Sequence, residues 1–129
     1  MNYRSVFRPG LFEGQTILIT GGGSGIGRCT AHELAALGAH VIITGRTQEK
    51  LDTVVGEITE DGGKASSISF DIRDEEAVKA SVAKVLEDHG QLHGLFNNAG
   101  GQFPSPLANM SQKGFATVVN NNPVSYTHL

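Results

Sequence analysis

The sequence predicts an α/β fold in which helices cover a parallel sheet, and three observations lead to this prediction. Short runs of β-branched residues alternate with amphipathic stretches, which is the order of successive βαβ units. The first run, TILIT at residues 16–20, has no charged residue, as expected of a strand buried on both faces. A glycine-rich turn at residues 21–27 follows this run directly and leads into a helical pattern.

The elements predicted after the turn alternate between helix and strand: a helix over 26–37, a strand over 40–44, a helix capped by Thr47, a strand over 65–70, a helix capped by Asp74, a strand over 95–97 and a last helix from about Ser111. We expect the helix after Asp74 to bury one apolar face formed by Val78, Val82, Val85 and Leu86. Right-handed crossovers give the strand order 3-2-1-4. The prediction is therefore a Rossmann-type doubly wound parallel sheet, of which residues 1–122 form the N-terminal, dinucleotide-binding part.

Composition excludes several classes of function. The 129 residues carry a net charge of −3 without a Lys/Arg cluster, so we expect no nucleic-acid partner. No apolar run approaches the ~20 residues that cross a bilayer, and no signal peptide is evident at the start. The single cysteine, Cys29, excludes an internal disulfide; we interpret it as a small buried side chain. We expect a single-domain cytoplasmic protein.

At three positions of the glycine turn there is a physical reason why the residue should be glycine. Gly21 permits a tight turn, Gly25 lets the backbone approach a pyrophosphate, and Gly27 allows close packing of the helix on the sheet. The N–H groups at the start of the next helix then attract phosphate charge. A flexible loop without a ligand is the alternative. A triphosphate-binding P-loop is excluded, because Arg28 and Cys29 occupy the places of its Lys and Ser/Thr.

The spacing Gly-x-x-x-Gly-x-Gly, together with Asn97-Asn98-Ala99-Gly100, resembles the short-chain dehydrogenase/reductase family over about residues 12–122. The resemblance implies that cofactor is bound by Gly21, Gly23, Ser24, Gly25, Ile26 and Gly27. It also implies that Asp71, with Ile72 beside it, binds the adenine amino group, and that Asn98, Ala99 and Gly100 line the inner ribose. Asn122 resembles the family's Asn that holds a water beside the catalytic Lys.

The end of the second predicted strand bears on the choice of cofactor. A carboxylate there would bind the 2′-hydroxyl of NAD and repel a 2′-phosphate. This sequence has Gly45 and then Arg46, whose guanidinium can pair with phosphate. We therefore predict NADP(H), with a solvated surface role for Arg46 as the alternative.

The loop Gly100-Gly101-Gln102-Phe103-Pro104-Ser105-Pro106 resembles the branch of the family that reduces 2-enoyl- and 2,4-dienoyl-coenzyme A thioesters. The resemblance implies that Gln102 and Phe103 border the pocket for an acyl-coenzyme A substrate and that the parent protein is a homo-oligomer, a tetramer in many relatives. A packing role for Phe103 in a variable loop is the alternative. A 3-oxoacyl or other carbonyl reductase and a non-catalytic dinucleotide sensor also stay open.

The family's catalytic Ser, Tyr and Lys have no counterpart in the sequence. A Lys four residues after Tyr126 would fall beyond Leu129, so we expect the chain to be inactive by itself. Pro123 also interrupts the helix in which the family keeps its Asn. Our hypothesis is that residues 123–129 are a non-native tail. His89 and His93 are interpreted as solvated side chains because Gly90 separates them, and no metal site is predicted.

Overall fold

The computed structural model describes residues 3–100 and 112–113. The described elements are β1 (Thr16–Thr20), α1 (Gly25–Ala36), β2 (His40–Gly45), α2 (Gln48–Glu60), β3 (Lys64–Ser69), α3 (Glu75–His89) and β4 (Gly94–Phe96). The four strands form one parallel sheet in the order β3-β2-β1-β4, which confirms the predicted fold class and strand order. None of the helices in this part of the chain combines the length and apolar character that a membrane span requires.

Both faces of the sheet are covered, which explains why the central residues of β1 and β2 are apolar. Alternate residues of a strand point to opposite faces. On one face, side chains of α1 and α2 pack against the strand residues Ile17, Ile19, Val41 and Ile43. On the other face, Val85 of α3 packs against Leu18 and Ile42. The sheet is therefore doubly wound, with α1 and α2 on one side and α3 on the other.

The apolar face of α3 is narrower than predicted. Val78 and Val85 are buried, but the side chain of Leu86 is 45% exposed, so the prediction that Leu86 is buried was wrong. Val85 lies seven residues after Val78 and nearly above it, whereas Leu86 is turned by about 80° from Val78. Leu86 therefore lies outside the stripe that meets the sheet.

The two predicted helix caps differ. Asp74 accepts a hydrogen bond of 3.1 Å from the backbone N–H of Ala77, as a helix cap should. Thr47 occupies the N-cap position of α2, but its side chain makes no capping bond, so that part of the prediction was wrong. Thr47 instead contributes to the wall of a cleft above the sheet.

The short strand β4 leaves apolar side chains uncovered within the described residues. Among the described residues it pairs only with β1, and Leu95 and Phe96 are 40% and 36% exposed. An edge strand with exposed apolar side chains can pair with another chain. The side of β4 that faces away from β1 is therefore a surface that favours association.

Candidate cofactor-binding site

A cleft of about 230 Å³ opens where the carboxyl ends of β1, β2 and β3 meet the loop after β4. This is the edge of a doubly wound sheet at which ligands bind, because the strand order reverses there and leaves a crevice. The wall is built by residues of the glycine turn, the end of β2, the start of α2, and the segments after β3 and β4: Gly21, Gly23, Ser24, Thr44, Gly45, Arg46, Thr47, Lys50, Leu51, Phe70, Asp71, Ile72, Ala99 and Gly100.

Two glycines of the turn adopt a backbone conformation that other residues rarely reach. Gly21 has a φ of 68° and Gly25 a φ of 54°. Helix α1 begins at Gly25, and a Cβ built there would meet no atom within 4 Å. The backbone at the start of α1 is therefore open to a ligand, and its unpaired N–H groups carry the positive end of the helix dipole.

Gly27 is required for a different reason. It is buried, and a Cβ there would collide with the carbonyl oxygen of Gly21 and would lie 2.6 Å from Nδ2 of Asn98. The segments that pack closely against Gly27 are therefore the glycine turn, through Gly21, and the loop after β4, through Asn98. Any side chain at Gly27 would push these two segments apart.

The turn is held by hydrogen bonds from the loop after β4. Nδ2 of Asn98 donates to the carbonyl oxygen of Gly21 at 3.2 Å. The hydroxyl of Thr20, fully buried at the end of β1, accepts from the backbone N–H groups of Asn98 at 3.0 Å and Ala99 at 2.9 Å. Sequence reasoning did not identify Thr20. The available signal was a hydroxyl residue at the end of an apolar strand, next to the turn.

Asp71 lies in the cleft just after β3 and is held by Arg73. The Arg73 side chain contacts both carboxylate oxygens, with Nη2 at 2.7 Å from Oδ2 and Nε at 3.1 Å from Oδ1. The hydrogen bonds from the Arg73 side chain, helped by its backbone N–H and by the charges of Arg73 and Arg46, lower the pKa of Asp71 to about 2 against an opposing effect of burial. Asp71 is therefore a fixed carboxylate at neutral pH. Ile72 is buried beside Val78.

The end of β2 gives the cleft a cationic wall. Gly45 stands where a carboxylate would be needed to bind a ribose 2′-hydroxyl, and Arg46 follows it as an exposed residue lining the cleft. Lys50, in the first turns of α2, lines the same cleft. Sequence reasoning identified Arg46 and missed Lys50, because only the packing of α2 brings Lys50 to this wall.

The described residues match a known family along nearly their whole length. The family model for "short chain dehydrogenase" matches residues 15–129. The chain belongs to the short-chain dehydrogenase family. Gluconate 5-dehydrogenase of Gluconobacter oxydans is 39% identical over 116 residues, which are 88% of this chain and 45% of that protein. A probable 2,4-dienoyl-CoA reductase of Bacillus subtilis is 34% identical over 83% of this chain and 42% of that protein. The chain thus spans less than half the length of these curated relatives.

Solved structures of the short-chain dehydrogenase family superpose closely on this chain. A citronellol catabolism dehydrogenase of Pseudomonas aeruginosa has 63% identity and a TM-score of 0.92, covering 98% of this chain and 52% of that one. An actinorhodin polyketide ketoreductase solved with NADPH has 32% identity and a TM-score of 0.84, over 88% and 44% of the two chains. An NAD⁺-bound xylitol dehydrogenase has 34% identity and a TM-score of 0.87, over 92% and 46%. These two structures were solved with different cofactors.

The residues predicted from the family pattern fall into three groups. Those that line the cleft are Gly21, Gly23, Ser24, Arg46, Asp71, Ile72, Ala99 and Gly100. Those that lie at the turn but are not part of that lining are Gly25, Ile26, Gly27 and Asn98; the side chain of Ile26 is 72% exposed. The predicted substrate residues Gln102 and Phe103, and Asn122, lie outside the described residues, as does the tail proposed for residues 123–129.

Cys29, which lies outside the cleft, corrects the sequence interpretation. Cys29 is exposed, not buried, because it lies two residues from both Gly27 and Ala31, which face the protein interior. His32, also in α1, is buried, and its Nε2 lies 2.9 Å from Oε2 of Glu57. This contact joins α1 to α2.

The histidines at the opposite end of the sheet make specific contacts. Nδ1 of His93 accepts a hydrogen bond of 2.9 Å from the backbone N–H of Thr16. The ring of His89 meets that of His40 edge-on, with 4.4 Å between centroids. His93 is exposed, as predicted, although its ring accepts the hydrogen bond from Thr16, whereas His89 is half-buried. Within residues 3–100 and 112–113, no three His, Cys, Asp or Glu side chains are grouped as a metal site requires.

Proposed function

We propose that the protein containing this chain is an oxidoreductase that uses NADP(H) in preference to NAD(H). The observation that carries the proposal is the position of Arg46 in the cleft, directly after β2, with Gly45 in place of a carboxylate. A guanidinium pairs with two phosphate oxygens at once, and no carboxylate of β2 repels them. The family alone does not decide this choice, because its members include proteins solved with NADPH and with NAD⁺.

The residues of the cleft and of the adjoining glycine turn fit a dinucleotide. The open backbone at Gly25 and the start of α1 would receive the pyrophosphate. The carboxylate of Asp71, kept ionised by Arg73, would accept a hydrogen bond from the adenine amino group. Asn98, Ala99 and Gly100 would line the inner ribose. When bound, the nicotinamide would supply or accept a hydride, and the residues named above would hold the pyrophosphate and the adenosine half of the cofactor.

For the substrate we propose an acyl thioester of the enoyl-coenzyme A type, reduced at its β-carbon. The support is the sequence of the loop at residues 100–106 and the similarity to dienoyl-CoA reductases, at 34–35% identity. Gln102 and Phe103 would border the acyl group, and Asn122 would hold a water for proton transfer. The catalytic Ser, Tyr and Lys would come from the rest of the protein, which we propose to be a homotetramer. A 3-oxoacyl or other carbonyl substrate is the alternative within the same chemistry.

A second candidate substrate has its own support. The 63% identity to a citronellol catabolism dehydrogenase, over 98% of this chain, favours an acyclic terpenoid alcohol or a derivative of it. Citronellol and an acyl thioester differ in the group that reacts. The two candidates can therefore be distinguished by assay, because one is oxidation of an alcohol and the other is reduction of an acyl thioester.

One experiment separates these possibilities. The full-length protein is assayed with crotonyl-coenzyme A, acetoacetyl-coenzyme A and citronellol, each with both NADP(H) and NAD(H) in the appropriate redox state. We expect crotonyl-coenzyme A to be reduced with NADPH. Oxidation of citronellol alone would favour the second candidate. Tight binding of NADPH without turnover of any of the three, in a protein that lacks a Tyr-x-x-x-Lys motif, would indicate a non-catalytic dinucleotide sensor. A protein that binds neither dinucleotide would refute the proposed function.

A further inference from the structure

Arg46 is not the only cation on the wall of the cleft. Lys50 lies four residues later, and both side chains line the cleft between the glycine turn and the end of β2. We propose that Lys50 is a specificity-determining residue that, together with Arg46, binds the 2′-phosphate of NADP(H). This inference rests on the proposed function and assigns a second residue to the recognition of one phosphate group.

The root of the Lys50 side chain is placed by close packing. A Cβ built at Gly23 would stand 3.2 Å from Cβ of Lys50 and 3.4 Å from Cδ2 of Leu51. The start of α2 thus lies directly against the glycine turn. Leu51 is only 1% exposed and anchors this part of the helix in the core. Lys50, the residue before this anchor, is exposed on the cleft side, where its flexible stem can carry the ammonium toward a ligand.

Among the described residues, no carboxylate around the cleft pairs with Lys50, so its ammonium group is available to bind a phosphate. Asp71 is the only carboxylate among the described residues that line the cleft, and that carboxylate is bound on both oxygens by Arg73. Lys50 itself forms no ion pair with any residue in the described ranges. By contrast, Lys79 and Lys84 of α3 are paired with carboxylates one turn away.

A doubly charged phosphate gains from a second cation. A guanidinium offers a planar pair of donors, whereas an ammonium acts as a point charge with three donors, so the two can contact different oxygens of one group. A hydrogen bond to a charged partner typically contributes roughly tenfold or more in affinity. A 2′-hydroxyl has no charge for Lys50 to neutralise.

The test compares two ligands that differ only in the 2′-phosphate. Adenosine 2′,5′-bisphosphate and adenosine 5′-monophosphate are titrated calorimetrically into the full-length protein. We expect Lys50→Gln to weaken binding of the bisphosphate about tenfold and Lys50→Glu to weaken it more, with the monophosphate changed by less than about twofold. Unchanged monophosphate binding also shows that each variant is folded. Lys84→Gln is the matched control, because it removes one exposed lysine charge from α3 and should leave both affinities unchanged.

The possible results distinguish a failure of the proposed role of Lys50 from a failure of the proposed NADP(H) preference. If Arg46→Gln reduces the preference for the bisphosphate while Lys50→Gln has no effect, Lys50 is only a surface residue and the NADP(H) preference still holds. If Lys50→Gln weakens both ligands equally, its role is structural and the inference fails. If the unmodified protein binds the two nucleotides equally, the proposed cofactor preference fails as well.

Discussion

The buried hydroxyl of Thr20, at the end of β1, accepts a hydrogen bond of 2.9 Å from the backbone N–H of Ala99. It accepts another, of 3.0 Å, from the N–H of Asn98. One side chain thus joins the strand that precedes the glycine turn to the loop that forms the opposite wall of the cleft. The geometry of the turn therefore depends on a contact between segments nearly eighty residues apart in the chain.

Thr20→Val tests this contact. Valine has nearly the same shape but cannot accept a hydrogen bond, so the N–H of Ala99 loses its partner and that of Asn98 keeps only the carbonyl oxygen of Phe96. We expect the free energy of unfolding to fall by about 1–3 kcal/mol, measured by urea denaturation. Thr20→Ser keeps the acceptor and should recover most of this loss. A stable Thr20→Val protein together with a destabilised Thr20→Ser protein would show that the methyl group of Thr20, and not its hydroxyl, matters.

Gly27→Ala tests the close approach of α1 to the turn. The new Cβ would lie 2.6 Å from Nδ2 of Asn98 and collide with the backbone of Gly21, so the turn must move. We expect a destabilisation of about 1–3 kcal/mol and weaker dinucleotide binding. Gly56→Ala is the control, because Gly56 lies within α2 and a Cβ there meets nothing within 4 Å. That variant should be more stable by about 0.4–1 kcal/mol. A stable Gly27→Ala protein with normal binding would contradict this account.

The sequence was sufficient for the features that depend on local pattern. The apolar run at residues 16–20 predicted a strand buried on both faces, and the handedness of βαβ crossovers predicted the strand order. Residues whose role depends on contacts across the fold were missed or misread. Thr20 and Lys50 acquire their positions only when β4 and α2 pack beside the turn. Cys29 and Leu86 were predicted to be buried, but both are exposed. Neighbouring residues of a helix point about 100° apart, so a residue next to a buried one can face solvent.

Arg73→Gln tests how the Asp71 carboxylate is held. Hydrogen bonds from the Arg73 side chain are the largest cause of the low pKa of Asp71, which is about 2. We expect the substitution to raise that pKa toward the ordinary value of about 3.9, as read from the side-chain carboxyl resonance in an NMR titration. Because the folded pKa is depressed, the associated stability is present above the unfolded pKa and is lost as the pH falls toward 2. Lys79→Gln removes an exposed charge on α3 and should leave the pKa unchanged.

His40 lies at the end of the sheet away from the cleft, and it makes the stability of the fold depend on pH. Burial is the main cause that lowers the pKa of His40, and the charges of His89 and Lys64 lower it further. His40 also lies 3.2 Å from the hydroxyl of Ser66. Since the unfolded chain takes up the proton first, stability should be greatest above a pH of about 6.5 and should decrease as the pH falls through the folded pKa. Urea denaturation between pH 8 and pH 5 measures this, and His40→Gln should flatten the dependence. An unchanged slope in that variant would assign the effect to other groups.

The uncovered side of β4 predicts how the 129-residue chain behaves when it is expressed alone. Leu95 and Phe96 are 40% and 36% exposed on a strand that, within the described part of the chain, is paired only with β1. Because exposed apolar edge strands recruit further strands, we expect the chain to self-associate and to show no turnover of crotonyl-coenzyme A with NADPH. Light scattering and size-exclusion chromatography measure the association, and Leu95→Lys should reduce it by placing a charge on the edge.

In the proposed full-length protein a further strand would cover β4, so Leu95→Lys should there destabilise the fold. A monomeric, active 129-residue chain would refute both the exposed edge and the proposed dependence on catalytic residues from the rest of the protein.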